Sequence, residues 1–246
     1  MPRFRDRFEA PMNPLEAGAG GDSLAILWHR GCQHLQGDSV KRRSAVRGEG
    51  PDARTKAAAP DGRVQRGERN RDAIVDAMFE LVGEGALEPT AEQVAARAGV
   101  GLRSVFRHFT DMESLYAALT TRLRREVEPI VTAEQAKGSL AERARAMVQR
   151  RARLFERIAP YKRSGNLNRE RSPFLNAEHA KVVLQLREHL ALWLPELATK
   201  PRATRDAIEL VASFEAWDRL CRDQGLSSAR ARAAQEAALL ALLGER

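Results

Sequence analysis

Cysteine is nearly missing from this chain: its two, Cys32 and Cys221, lie far apart and in neither a CxxC nor a Cys/His spacing. That scarcity leaves no disulfide framework and no zinc site to organise a fold, and both thiols read as inert. Long apolar runs are missing too. Nothing approaches the roughly 18 residues of a membrane span, and the stretch Leu24 to Trp28 is too short even for a secretory signal. The expectation is a cytoplasmic protein with no membrane contact. There is no HExxH, no GxSxG and no Gly-rich phosphate loop, and none of the five histidines has a second histidine at i+3 or i+4. No enzyme is expected, and neither a cofactor nor a metal. Internal repeats are equally lacking.

What is present is an ordinary apolar content, 43% of 246 residues, enough for one large core or two smaller ones. The net charge of +8 says less than its distribution. Residues 69–116 carry 5 Lys/Arg against 8 Asp/Glu, whereas 117–246 carry 24 against 16. Within the acidic middle segment, Val94 to Phe109 holds no acidic residue but does hold Arg97, Arg103, Arg107 and His108, a local basic patch.

Residues 1–66 are rich in Gly, Pro, Arg, Ala and Ser without a sustained period, and read as a disordered basic extension or as sequence ahead of a later translation start. From Arg69 onward the pattern is that of amphipathic helices broken at Gly or Pro, so the fold class is all-α. Helices are expected over about Arg69 to Gly83, over about nine residues from Thr90 and stopping at Gly99, over Leu102 to Phe109, and from Thr110 toward Pro129. Thr90 with Gln93, and Thr110 with Glu113, have capping-box spacing. Further on, helices are expected over Leu140 to Ile158, Phe174 to Leu194, Thr204 to Gln224 and Ser228 to Leu243, with an irregular piece across "PYKRSGNLNRERSP".

The stretch "GVGLRSVFRHFTDMESL" breaks an apolar helical pattern at glycine and restarts it with cations. On a wheel of about 100° per residue with Val105 at zero, Phe109 falls near ~40° and Leu102 near ~60°, while Arg103 and Arg107 fall near ~160° and ~200°. Leu102, Val105 and Phe109 thus read as an anchoring trio. Ser104 lies beside the two arginines, and Phe106 and His108 occupy the shoulders. A short helix held by apolar residues, following another through a Gly turn with its cations outward, is the pattern of a recognition helix in a helix-turn-helix. Arginine can pair bidentately with a guanine edge or a phosphate.

With "AEQVAARAGVGLRSVFRHFTDMESLYAAL", the chain resembles the TetR-type bacterial transcriptional regulators over about Arg69 to Leu123, and beyond that only in the number and length of its helices. The resemblance implies a three-helix DNA-binding domain over 67–115 and a larger helical domain over 116–246 for effector binding and dimerisation. It also implies that Thr90 caps against a DNA phosphate and that Leu102, Arg103, Ser104, Phe106, Arg107 and His108 form the DNA-contacting surface. The chain departs from the family pattern at Phe106, where Tyr is usual, and at Met112, where Lys is usual. To supply the missing phosphate contacts, Arg63, Arg66, Arg69 and Arg71 are read as a basic arm, against the plainer reading of a solvated tail.

In the second domain, Arg151 interrupts the apolar series Leu140, Ala144, Met147, Leu154, Ile158, and His179 interrupts Leu175, Val182, Leu186, Trp193. Arg151 reads either as a counter-ion for an acidic effector or as an arginine paired with a neighbouring carboxylate, and His179 as an effector contact or a core histidine. Phe155, Tyr161, Phe174, Trp193 and Trp217 are candidates for the wall of an apolar pocket, or else core. The Ala-rich last helix and its neighbour, carrying Ile208, Leu210, Val211, Phe214, Trp217 and Cys221, suit a four-helix interface with a twin subunit.

The expected partners are double-stranded DNA, a second copy of the chain in a homodimer, and an unidentified small-molecule effector. The expected function is an effector-responsive repressor on a palindromic operator. An activator, a regulator without effector, and a helical protein-interaction module remain open alternatives.

Overall fold

The computed structural model describes residues 62–245. Cys32 and the rest of 1–61 lie outside the described residues, as does the side chain of Arg63. Among the described residues the chain forms nine α-helices and no strand: α1 (Gly62–Gly83), α2 (Ala91–Ala98), α3 (Leu102–His108), α4 (Met112–Val131), α5 (Leu140–Asn168), α6 (Pro173–Trp193), α7 (Arg202–Val211), α8 (Phe214–Arg222) and α9 (Ser228–Leu243). Short 3-10 turns at Arg169–Arg171 and Pro195–Thr199 bracket α6.

The head is built on α1, whose Ile74, Val75, Met78 and Val82 bury one stripe against Val94 and Ala95 of α2, Val105 and Phe109 around α3, and Leu115, Tyr116 and Leu119 of α4. Thr90 starts α2 as expected: its hydroxyl accepts from the Gln93 N–H at 3.3 Å and the Gln93 side chain accepts from the Thr90 N–H at 2.9 Å. Gly99 ends α2 with φ of 66°, a left-handed conformation that a Cβ would strain. Only two residues then separate it from α3.

Four element boundaries differ from the sequence expectation, each for a physical reason. First, α1 begins at Gly62, so Arg66, Arg69 and Arg71 ride on a helix rather than on an extended arm. Second, α4 is capped by Asp111 and Ser114, not by Thr110 and Glu113. The Asp111 carboxylate accepts from the Ser114 N–H at 2.7 Å, while Glu113 is drawn across to the start of α6, accepting from the Ser172 hydroxyl and from the Phe174 N–H at 3.0 Å.

Third, α5 continues through Pro160 to Asn168. Beyond the proline, packing outweighs the lost backbone bond: buried Ser164 donates to the Leu87 carbonyl at 2.7 Å and lies 3.1 Å from the Tyr116 hydroxyl. Fourth, the single helix expected over Thr204 to Gln224 is broken at Ala212 and Ser213. Ser213 caps α8 through the Ala216 N–H at 3.1 Å. The carbonyls freed at the break are taken by side chains: Arg151 donates to Ala212 at 2.7 Å, and Gln235 donates to Val211 at 2.7 Å and to Ser213 at 3.2 Å.

The larger domain has two further cores. One joins Met147 and Val148 of α5, Leu190, Trp193 and Leu194 around the end of α6, Ile208 of α7, and Leu239, Leu240 and Leu243 of α9. The other joins Val127, Phe155, Ile158, Phe214, Trp217 and Ala231, with the Phe155 ring edge-on to Phe214 at 5.6 Å. Ile208, Phe214 and Trp217 are therefore spent on the chain's own core rather than on a second subunit, while Leu210 stays exposed. Helix α4 belongs to both halves, burying Leu115 in the head and Val127 in the larger domain.

Candidate functional site

The exposed face of α3 follows from which of its seven residues the head consumes. Val105 and Phe109 are buried; Leu102 is 38% and Phe106 54% exposed. Leu102 is thus not part of the anchor, as the wheel had placed it, because α3 is held from behind by Val105 and Phe109 alone. The outward arc runs Leu102, Phe106, Arg103, Arg107, two apolar side chains beside two cations. Among the described residues neither arginine pairs with a carboxylate, and Arg107 donates to the Ser104 hydroxyl at 3.0 Å. Such a face presents donors for base edges or phosphates next to apolar surface that can meet a thymine methyl.

Not every cation of the sequence patch joins it. Arg97 turns back onto α1, forking onto Glu84 at 2.8 and 2.7 Å and reaching Glu80 at 3.4 Å. The His108 ring is only partly exposed, and its Nε2 is buried without a hydrogen-bond partner. Burial, and then the nearby Arg107 and Arg71 charges, hold His108 below the usual histidine pKa, so at neutral pH it offers no positive charge. Of the expected arm, Arg71 lies over the Phe109 ring at 5.2 Å and Arg69 donates to the Gln65 carbonyl at 3.3 Å. Arg66 is exposed on the same helix. Arg71 therefore props the end of α3 rather than reaching away from it.

At the start of α2 the structure adds a residue that the sequence reading missed. The carboxylate of Glu92 folds over the helix N-terminus, where its own N–H and then the Thr90 hydroxyl hold its pKa below the usual range. An anion arriving at Thr90 meets a carboxylate already in place.

Behind the head, α4, α5 and α6 enclose a cavity of about 170 Å³. Leu119, Leu123, Val127, Leu154, Ile158, Val182 and Leu186 supply an apolar body to its wall, and Arg151, Tyr161 and His179 line it as candidates. Phe155, Phe174, Trp193 and Trp217 do not. The first and last pack on each other and on Phe214, Trp193 lies in the other core, and Phe174 packs against the head.

Arg151 is fully enclosed and pairs with no carboxylate; it spends its two terminal nitrogens on the Ala212 and Leu186 carbonyls, and burial lowers its pKa to about 10. His179 Nδ1 lies 2.7 Å from Lys162 Nζ, and burial followed by the Lys162 charge keeps His179 below the usual range. Three wall groups had no signal in the one-dimensional pattern: the buried pair Arg124 and Glu178, joining α4 to α6, and His189 one turn before Trp193.

Cavity and head share side chains. Tyr116, Leu119 and Leu175 belong to the head core and to the cavity wall at once. Tyr161, also in the wall, stacks on Phe79 of α1 at 4.6 Å between ring centres and donates to the Phe79 carbonyl at 3.3 Å. A change of shape in the cavity is thus felt directly by α1 and α4.

Comparison with known proteins places this geometry. The model of the bacterial regulatory proteins of the tetR family matches residues 74–119, which run from the middle of α1 into α4. No curated protein matches the sequence. A transcriptional regulator from Rhodococcus sp. RHA1 has a similar structure, with a TM-score of 0.51 at 21% identity, covering 72% of this chain and 96% of its own. A second, a TetR transcriptional regulator from the same source, gives 0.43 at 18%, covering 71% and 97%. With the helix-turn-helix, its outward cations and the matched segment in agreement, the head over residues 74–119 is of the type found in the bacterial regulatory proteins of the tetR family.

Proposed function

We propose that the chain is an effector-responsive repressor that binds a palindromic operator as a homodimer, with Leu102, Arg103, Phe106 and Arg107 reading the major groove. The observation that carries this reading is the outward arc of α3, where two arginines free of carboxylates stand beside two exposed apolar side chains. Ser104, bonded to Arg107, sets that guanidinium's direction. Thr90 meets phosphate once Glu92 swings aside, and His108 acts as a packing residue at the end of the helix.

Dimerisation supplies the two-fold symmetry that a palindrome requires. Exposed Leu184 of α6 and Leu210 of α7, tied together by the 2.9 Å Arg187–Glu209 bridge, support an isologous contact, as do the outward Ala233, Ala237 and Ala241 of α9. The cavity between α4, α5 and α6 takes the effector. Its signal reaches the heads through Tyr116 and Leu119 on α4 and through Tyr161 stacked on Phe79. For release, the effector must bind the non-operator conformer more tightly, by about 1–3 kcal/mol for a typical coupling.

Selection of bound duplexes from a random pool with the full chain tests the reading. A two-fold symmetric consensus with half-sites about one helical turn apart is expected. Enrichment of no duplex, or of an asymmetric site bound by a monomer, overturns it.

A further inference from the structure

The cavity wall holds a group of polar atoms that the fold leaves unsatisfied. Arg151 is 3% and His189 7% exposed, yet Arg151 Nε and His189 Nδ1 have no hydrogen-bond partner; nor do the buried Arg150 Nη1 and Gln185 Oε1. All four residues line the cavity. They lie in one neighbourhood: Gln185 and His189 are one turn apart on α6, Arg151 donates to the Leu186 carbonyl between them, and Arg150 lies over the ring of Trp193, 4.5 Å from its centre, while that ring lies 5.4 Å from His189. Burying so many unpaired donors and acceptors is costly, and they are tolerated where a ligand completes them.

The charge at this end is specific. Neither Arg150 nor Arg151 makes an ion pair among the described residues; Glu209, outside the wall, is engaged by Arg187 at 2.9 Å, and the wall carboxyl at this end is Glu188, which burial pushes toward its neutral form. The far end is balanced instead. Arg124 is matched by Glu178, and Lys162 bonds His179 and lies 3.9 Å from Glu215. Between the ends the wall is leucine, isoleucine and valine.

We propose that the effector is an amphiphilic organic anion, a carboxylate on an aliphatic body, with its head against Arg150 and Arg151 and its body along the apolar wall. The inference rests on the cavity being the effector site. The two guanidiniums supply charge-assisted bonds to the carboxylate, and the Gln185 amide and the His189 imidazole each turn a donor toward it. An apolar chain of the same length without the anion leaves the guanidinium donors unpaired.

Calorimetric titration of the full chain with matched octyl and decyl series of carboxylate, alcohol and ammonium compounds decides the point. The carboxylates should bind more tightly than the alcohols by about tenfold or more, and the ammonium compounds weakest. R150M and Q185L, chosen because both residues are only partly enclosed and neither caps a helix, should fold normally by circular dichroism and still bind the alcohols, R150M losing most of the carboxylate preference and Q185L a smaller part of it. Alcohols or ammonium compounds binding as tightly as the carboxylates would overturn the anion assignment and leave the cavity as a ligand site. So would a carboxylate preference that persists undiminished in both variants. Failure of all three series to bind would overturn the cavity reading itself.

Discussion

The Arg124–Glu178 pair makes the most quantitative test of how the cavity is held together. It joins α4, which enters the head, to α6, with the two residues 8% and 6% exposed. Removing one member of a buried pair strands the other, at about 3–5 kcal/mol. The two removals are unequal here. Without Arg124, Glu178 keeps Lys181 at 2.7 Å, a half-exposed side chain, so Arg124→Met should cost only about 1–2 kcal/mol. Without Glu178, no other carboxylate among the described residues bonds Arg124, so Glu178→Leu should cost about 3 kcal/mol. For a chain of this size that lowers Tm by about 6–12 °C. The double variant exchanges a buried ion pair for apolar contact and should lie within about 1 kcal/mol of the wild type. Urea unfolding of the four proteins measures the cycle. A Glu178→Leu cost below about 1 kcal/mol, or a double variant that simply sums the singles, would refute the claim that this pair pins the two helices.

Three further predictions follow from individual contacts. Replacing Glu92 with Gln removes the carboxylate folded over the start of α2 and should tighten operator binding at low salt and less so at high salt, read by titration at two ionic strengths; unchanged affinity would remove Glu92 from the interface. Phe79→Leu keeps the cavity wall but removes the stack on Tyr161. Effector affinity of the DNA-free protein should stay within about threefold while the effector's power to release DNA falls, and by linkage DNA should then oppose effector binding less. Burial, with the Arg151 and Arg150 charges, holds His189 down at about 2, far below its unfolded value of about 6.5. Below about pH 6.5 the unfolded chain takes up a proton that the folded one refuses, so stability should fall toward acid by up to about 1.4 kcal/mol per pH unit. His189→Leu should reduce that slope between about pH 6 and 4 in urea titrations of the ligand-free protein, and an unchanged slope would contradict the burial argument.

How far the sequence could be read depended on how local the deciding chemistry is. The Thr90 capping box, the Gly99 turn and the outward placement of Arg103 and Arg107 were legible because each is settled within one helical turn. Boundaries set by distant partners were not. Nothing near Pro160 announces that Ser164 will bond Leu87, and nothing near Ser213 announces that Arg151 and Gln235 will take the carbonyls of a broken helix. Arg151 stood out as a charge on an apolar stripe, but its use on backbone carbonyls needed α6 and α7 in place. For the same reason Phe155, Trp193 and Trp217, equally good as pocket wall or core by spacing, proved to be core. The unsatisfied group around His189 and Gln185 has no sequence signature, because it is defined by partners those atoms do not have.

The central claim, that the exposed arc of α3 touches DNA, is tested most directly by the affinity of Arg103→Ala, Arg107→Ala and His108→Ala for the selected operator over a range of salt. The account predicts that each arginine variant loses about 1–3 kcal/mol, with relaxed preference at one base pair if it reads a base or a salt slope lower by about one if it meets phosphate. His108→Ala should change neither quantity beyond what its packing costs. Full affinity, specificity and salt slope in both arginine variants would contradict it.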